Sequence, residues 1–302
     1  LGPVVEDAGT TVVREVRDVI GEAPAAGAPA RVDVTVFRGD PLVAHGFEFE
    51  ELELQGEAGR LYAWWIDTGA RRAVLQLHGR RRADRSETLR ALPTLVDSGY
   101  SVMSLAYRNH DRSDPSPDGY FHYGQSEYED ALVALAELRE RGVEQVVLYG
   151  YSMGGAVALE TVKRWPAEGP ELTGIVLDAP LLDPATVFGT VAAETLPVPG
   201  LITRVALFIG GLRAGIDWAP LDQRRYAPEI DVPVLLIAGT ADSTIPIGLV
   251  DGFAERVTAP LEYLRLEGVE HVEGWNRDRA RDERAVAEFL EARGQALAAE
   301  EQ

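Results

Sequence analysis

Between Ala73 and Leu266 the chain alternates short, unbroken apolar runs with longer segments of helical periodicity. The runs are Ala73–Leu77, Ser101–Ala106, Gln145–Tyr149, Gly174–Leu177, Val232–Ala238 and Leu261–Leu266. Continuous rather than alternating hydrophobicity marks strands covered on both faces, as in a parallel sheet. The spacers predict crossover helices over Ser86–Ser98, Gln125–Arg141, Gly155–Arg164 and Ile247–Val257, with a closing helix over Arg281–Arg293. Upstream the pattern changes. Apolar positions 47, 49, 52 and 54 precede the turn Gln55-Gly-Glu-Ala-Gly59, and Arg60-Leu-Tyr-Ala-Trp-Trp-Ile66 follows it. This predicts an antiparallel strand pair. Earlier still, the β-branched runs Thr11–Ile20 and Arg31–Phe37 flank the Gly/Ala/Pro stretch Gly21–Ala30 and predict a hairpin with a long loop.

An antiparallel pair leading into a parallel βαβ series makes one α/β domain with a mostly parallel, doubly wound sheet. Its expected extent is residues 46–180 and 230–295, with residues 1–45 as a β-hairpin extension. Residues 181–229 interrupt the series. This segment is rich in Pro and Gly, has an apolar centre at Thr203–Leu212, and is too long for a plain connection. It is expected to form a helical cap that buries that centre against the body and narrows the entrance to the site.

The candidate chemistry lies at the ends of the predicted strands. Gly150-Tyr-Ser-Met-Gly-Gly155 follows the apolar run Val146–Tyr149 and precedes the helix-like Ala156-Val-Ala-Leu159. A strand, G-x-S-x-G and a helix form a nucleophile elbow, a strained turn that presents the serine hydroxyl outward. Ser152 is therefore the candidate nucleophile. A serine nucleophile needs a base, and the base needs orienting. His271, in Gly268-Val-Glu-His-Val-Glu-Gly-Trp275, is the only histidine downstream of Ser152. Asp242, in Ala238-Gly-Thr-Ala-Asp-Ser-Thr-Ile-Pro246, follows a strand directly and is the candidate orienting acid, with Asp178 and Asp183 as rivals. The backbone N–H groups of Met153 and of Arg80, after Leu75-Gln-Leu-His-Gly79, are the candidate oxyanion donors. Tyr107, Tyr151 and Trp275 adjoin these positions and are candidates for the substrate pocket.

These residues resemble the α/β-hydrolase superfamily from Gly46 to about Leu290. His78-Gly79, Gly150–Gly155, Gly239-Thr-Ala-Asp242 and Glu270-His271 stand in its order. Ala106-Tyr-Arg-Asn109, Ser116-Pro-Asp-Gly119 and His271-Val-Glu-Gly-Trp-Asn276 look like a bacterial, often membrane-anchored group near the serine aminopeptidase-like and bem46-like branch. The sequence departs from the usual pattern at Arg80-Arg-Arg82, where small residues are frequent. The resemblance implies a serine hydrolase acting on a small-molecule acyl substrate, most readily an ester. A peptidase or acyltransferase on the same scaffold, or a binding protein that keeps the fold, are the rival readings.

Composition narrows the partners. The net charge is −20 and the pI about 4.7, a balance that repels nucleic acid and anionic lipid. Against that charge, Arg80, Arg81, Arg82, Arg85, Arg108 and Arg112 form a local basic cluster, read chiefly as solvated loop residues. Cysteine is absent and the five histidines show no metal-ligand spacing, so no cofactor or metal is expected. No apolar run reaches the length of a membrane span. The chain opens on Leu1 rather than Met, which leaves an upstream signal peptide or anchor as an open expectation. Nothing in the residues fixes an oligomeric state.

Overall fold

The computed structural model describes residues 4–7, 12–14, 16, 25, 36–80, 84–195 and 199–300. Strands β1 (Val4–Asp7) and β2 (Val12–Arg14) form a small antiparallel pair. The rest of the expected N-terminal hairpin, including nearly all of Arg31–Phe37, lies outside the described residues. Helix α1 (Pro41–His45) was not anticipated. Asp40 caps it by accepting from the Val43 N–H at 2.9 Å, and Gly46 ends it at φ 78°.

The main sheet has eight strands: β3 (Glu50–Gln55), β4 (Arg60–Ile66), β5 (Arg72–Leu77), β6 (Ser101–Ala106), β7 (Gln145–Tyr151), β8 (Glu171–Asp178), β9 (Val234–Gly239) and β10 (Leu261–Leu266). Their order is β10-β9-β8-β7-β5-β6-β4-β3. β3 pairs antiparallel with β4, and β4 with β6; the other neighbours are parallel. The β3–β4 register, Gln55 opposite Arg60, closes over the glycine turn foreseen there.

Helices cover both faces. A 3-10 helix (Arg85–Ala91) runs into α2 (Leu92–Asp97), and α3 (Tyr128–Glu140) and α4 (Met153–Val162) follow. Residues 181–229 contribute α5 (Pro184–Thr195) and α6 (Pro199–Ala214). The chain then continues through α7 (Ile247–Ala254) and α8 (Gly274–Arg277) to α9 (Arg279–Glu300). Two apolar clusters form, one on each sheet face. One holds Leu75, Leu148 and Leu177 with α3, α4 and α7; the other holds Val74, Val147 and Val176 with Leu92 and Phe289. This division follows the two-residue alternation of each strand and explains why the central runs are apolar throughout.

One expectation for the cap fails. Thr203–Leu212 is not buried against the body: Val205, Phe208, Ile209 and Leu212 are all exposed. Periodicity identifies an apolar helix face but does not say whether protein covers it.

Candidate functional site

The elbow forms where β7 meets α4. Ser152 sits at φ 49° and ψ −114°, a conformation that L-residues rarely adopt and that costs about 1–3 kcal/mol when held. Its neighbours hold it. The Ser152 N–H donates to the Asp178 carbonyl at 2.9 Å, and the Leu181 N–H donates to the Ser152 carbonyl at 2.9 Å. Glycine is required at 154 by close packing, since a Cβ there would lie 1.9 Å from the Leu77 carbonyl oxygen. That contact brings the start of α4 beside the end of β5, so Met153 and the His78–Arg80 loop become neighbours. Among the described residues, the N–H groups of Met153 and Arg80 have no hydrogen-bond acceptor.

Asp242 and His271 come from adjacent loops after β9 and β10. The Asp242 Oδ1 accepts from the backbone N–H groups of Thr244 and Ile245 at 2.8 and 2.7 Å, which turns Oδ2 toward His271. The His271 Nδ1–H donates to that Oδ2 at 2.7 Å, and Nε2 accepts from the Ser152 hydroxyl at 2.9 Å. The two loops are tied together. Ala241 donates to the Val269 carbonyl, Gly268 donates to the Thr240 hydroxyl, and Ser243 donates through both N–H and Oγ to Glu270. Gly239 permits this approach, because a Cβ would stand 2.0 Å from the Val269 oxygen. Burial lowers the His271 pKa, but the hydrogen bond and charge of Asp242, with Glu87 and Asp178 behind it, raise it further, and the balance lies above the usual histidine value.

The rival acids have other partners. Asp178 is buried and meets the Arg90 guanidinium at 3.0 Å. Asp183 caps α5 by accepting from the Thr186 N–H at 3.1 Å, and binds Arg224 at 2.8 Å. Beneath Ser152, His271 and Asp242 lies a buried ionic layer that the sequence does not reveal. Arg90, on the 3-10 helix, bridges Asp178 and the Val272 carbonyl, the latter at 2.9 Å, and its guanidinium stacks over the Tyr151 ring. Val272, next to His271, has φ 58°, so Arg90 fixes a strained residue of the histidine loop. Glu87 on the same 3-10 helix accepts from the Gly79 N–H at 2.6 Å and so fixes the other loop. Burial raises its pKa against the opposing pull of Arg90 and Gly79. Asp282 on α9 is pushed up to about 7, first by burial and then by the Asp178 charge, with Arg90 opposing. The missed signal is faint: Glu87 and Arg90 lie three residues apart in a segment that reads as an ordinary amphipathic helix.

The three aromatic candidates for the pocket are corrected. Tyr107 and Tyr151 have no exposed surface, and Trp275 is 8% exposed. Tyr107 stacks on His78 at 4.5 Å and donates its hydroxyl to the His78 carbonyl at 2.6 Å. Tyr151 points to the opposite sheet face and stacks on Tyr149. Trp275 packs against Phe37 and donates to Glu283. The rings that do gather beside Arg80 are Tyr123, Phe188 and Trp218, with centroids 5.1–6.0 Å apart. Arg80 reaches this cluster, donating to the Tyr123 hydroxyl at 3.1 Å. The basic cluster is met by acids: Arg85 pairs with Glu51 and Asp111, Arg112 shares Glu51 at 3.7 Å and lies over the Tyr62 ring, and Arg108 pairs separately with Glu129 and Asp130. Arg81 and Arg82 lie outside the described residues.

Sheet order and helix placement are those of the α/β-hydrolase fold, which the solved structures below share. Residues 68–206 match the family model described as serine aminopeptidase, S33. The Pyrococcus furiosus esterase Pf2001 superposes with a TM-score of 0.66 at 24% identity, covering 90% of this chain and 99% of that one. An esterase of Exiguobacterium antarcticum superposes at 0.59 with 16% identity, covering 80% and 99%. Among curated relatives, the Escherichia coli protein YfhR is 23% identical over 252 residues, which is 81% of this chain and 79% of YfhR. A Vibrio cholerae multifunctional-autoprocessing repeats-in-toxin is 24% identical over 54% of this chain, and the chain spans only 4% of that toxin's length.

Proposed function

We propose that the protein is a serine hydrolase that cleaves a carboxylic ester through an acyl-enzyme. The observation that carries this is the continuous Ser152–His271–Asp242 hydrogen-bond chain, with Ser152 held in the strained elbow conformation. His271 Nε2 takes the hydroxyl proton as Oγ attacks the acyl carbon. The negative charge that develops on the carbonyl oxygen is met by the N–H groups of Met153 and Arg80. The imidazolium, stabilised by Asp242, then returns its proton to the departing alkoxide. Water, deprotonated by the same histidine, releases the acid and regenerates Ser152.

Three points favour an ester. An alcohol leaves more readily than an amine, the Tyr123–Phe188–Trp218 rings offer an apolar wall beside Arg80, and the similar solved structures include esterases. The match to the serine aminopeptidase family model favours a peptidase as the second reading. Parallel assays with p-nitrophenyl esters of graded chain length and aminoacyl p-nitroanilides separate the two. Ester turnover is expected to dominate, and Ser152→Ala is expected to remove about 10^3-fold or more of kcat while the protein stays folded. Near-normal ester turnover by folded Ser152→Ala protein would refute the assignment, and dominant anilide turnover would select the peptidase.

A further inference from the structure

α6 presents an apolar face that nothing among the described residues covers. Leu201, Val205, Phe208 and Leu212 fall on one side of the helix at spacings of four, three and four residues, with Ile202 and Ile209 along its border. Leu201 is 77% exposed, Phe208 65% and Leu212 71%. The other side of α6 is anchored. The Leu207 carbonyl accepts from the Trp218 indole N–H at 2.9 Å, and Gly211 is buried so closely that a Cβ would meet Trp218 Nε1 at 2.8 Å. Trp218 in turn joins the ring cluster that reaches Arg80, so the helix is tied through Trp218 to the neighbourhood of the candidate site.

Charge and area decide what could cover this face. Asp and Glu make up 49 of 302 residues, yet none stands between Glu194 and Asp217, a stretch that carries Arg204 and Arg213. A molecule with net charge −20 thus has in α6 an apolar, acid-free segment carrying two arginines, of which Arg213 donates to the Tyr120 hydroxyl at 3.0 Å. A second copy is a poor fit for it. Sixteen residues of helix span about 24 Å, and a face about 10 Å wide offers roughly 240 Å², against about 800 Å² per partner in a stable interface. A lipid surface needs neither that area nor shape complementarity. No described helix is long and apolar enough to cross a membrane, so the contact lies in the interface plane.

We infer that α6 docks the cap onto a zwitterionic lipid surface, with Leu201, Val205, Phe208 and Leu212 inserted among the acyl chains and the arginines at headgroup level. The net negative charge makes anionic vesicles the poorer surface. Docking does not depend on the hydrolase reading, because binding can be measured with Ser152→Ala protein.

The experiment is co-flotation of the full chain with pure phosphatidylcholine vesicles, comparing Ser152→Ala protein with and without Phe208→Asp and Leu212→Asp. A milder pair, Phe208→Ser and Leu212→Ser, guards against misfolding, and circular dichroism checks each variant. The parent is expected to float. Both pairs should lower its vesicle partition, the aspartates by at least about tenfold, from the transfer cost of two large apolar side chains. Adding anionic phosphatidylglycerol should weaken the parent's binding. A parent that stays with the unbound protein overturns the inference, as does a folded aspartate variant that floats equally well. Vesicle-independent dimers that the same substitutions dissolve, without flotation, would assign the face to a second copy and overturn it too.

Discussion

The floor of the candidate site and helix α6 of the expected cap are built in opposite ways. Beneath Ser152 and His271, polar groups are buried and paired: Arg90 with Asp178 and Val272, Glu87 with Gly79, and Asp242 with two backbone amides. In the cap, large apolar groups are exposed: Leu201, Phe208 and Leu212 stand in solvent on one side of α6. A buried charge is kept only where several partners fix its place, and the groups it touches then have little freedom. An exposed apolar helix is fixed on one side only and stays available to a surface. The floor is thus suited to holding three side chains in one geometry, and the cap to meeting something outside the molecule.

Substitutions that exchange these characters sharpen the contrast. The largest expected effect is on chemistry. Asp242→Asn keeps the shape of the acid but removes its charge, and kcat is expected to fall about 10^4-fold. The pH profile should carry a second signature. His271 must be neutral to accept the serine proton, and its pKa is raised, so the wild-type acid limb should lie above the ordinary histidine value of about 6.5. Asp242 is what lifts it, so in Asp242→Asn the limb should move to lower pH. A limb that stays in place would show that another group sets it.

Next in size is the floor itself. Arg90→Met removes the hold on Val272 and leaves Asp178 buried without its cation, whose charge opposes the burial that raises the Asp178 pKa. The loss of stability in denaturant unfolding should be about 3–5 kcal/mol. Arg90→Lys keeps the charge but cannot span both partners, so it should recover part of the stability with a larger deficit in kcat than in KM. An Arg90→Met protein with unchanged midpoint and kcat would remove Arg90 from the account. The smallest effect belongs to the cap. Phe208→Ser should shift unfolding stability by no more than about 0.5 kcal/mol and leave turnover of a water-soluble short ester unchanged, because that ring is 65% exposed. A large loss would mean that α6 is part of the folded core.

The same division governs what the sequence could reveal. The sheet was legible because its central strands are apolar throughout, and β6 and β10 coincide with the runs Ser101–Ala106 and Leu261–Leu266. The positions of Ser152, Asp242 and His271 were legible because each follows a strand directly and glycines mark the turns. Tyr151 was misjudged because proximity in sequence is not proximity in space. It alternates with Ser152 and points with Val147 and Tyr149 to the other face. Arg90 and Glu87 stayed hidden because charged residues on a short amphipathic segment ordinarily face solvent. Residues 203–212 deceive in the reverse sense: an apolar helix face does not by itself imply cover, and among the described residues nothing covers this one.

The most direct test of the central claim is covalent. The chain is incubated with a fluorophosphonate at pH 8, and the modified peptide is mapped by mass spectrometry. A serine made nucleophilic by His271 should be phosphonylated stoichiometrically at Ser152, and neither His271→Ala nor Ser152→Ala protein should be labelled at that rate. A chain that takes no label, or takes it at another serine while Ser152 stays free, would contradict the account.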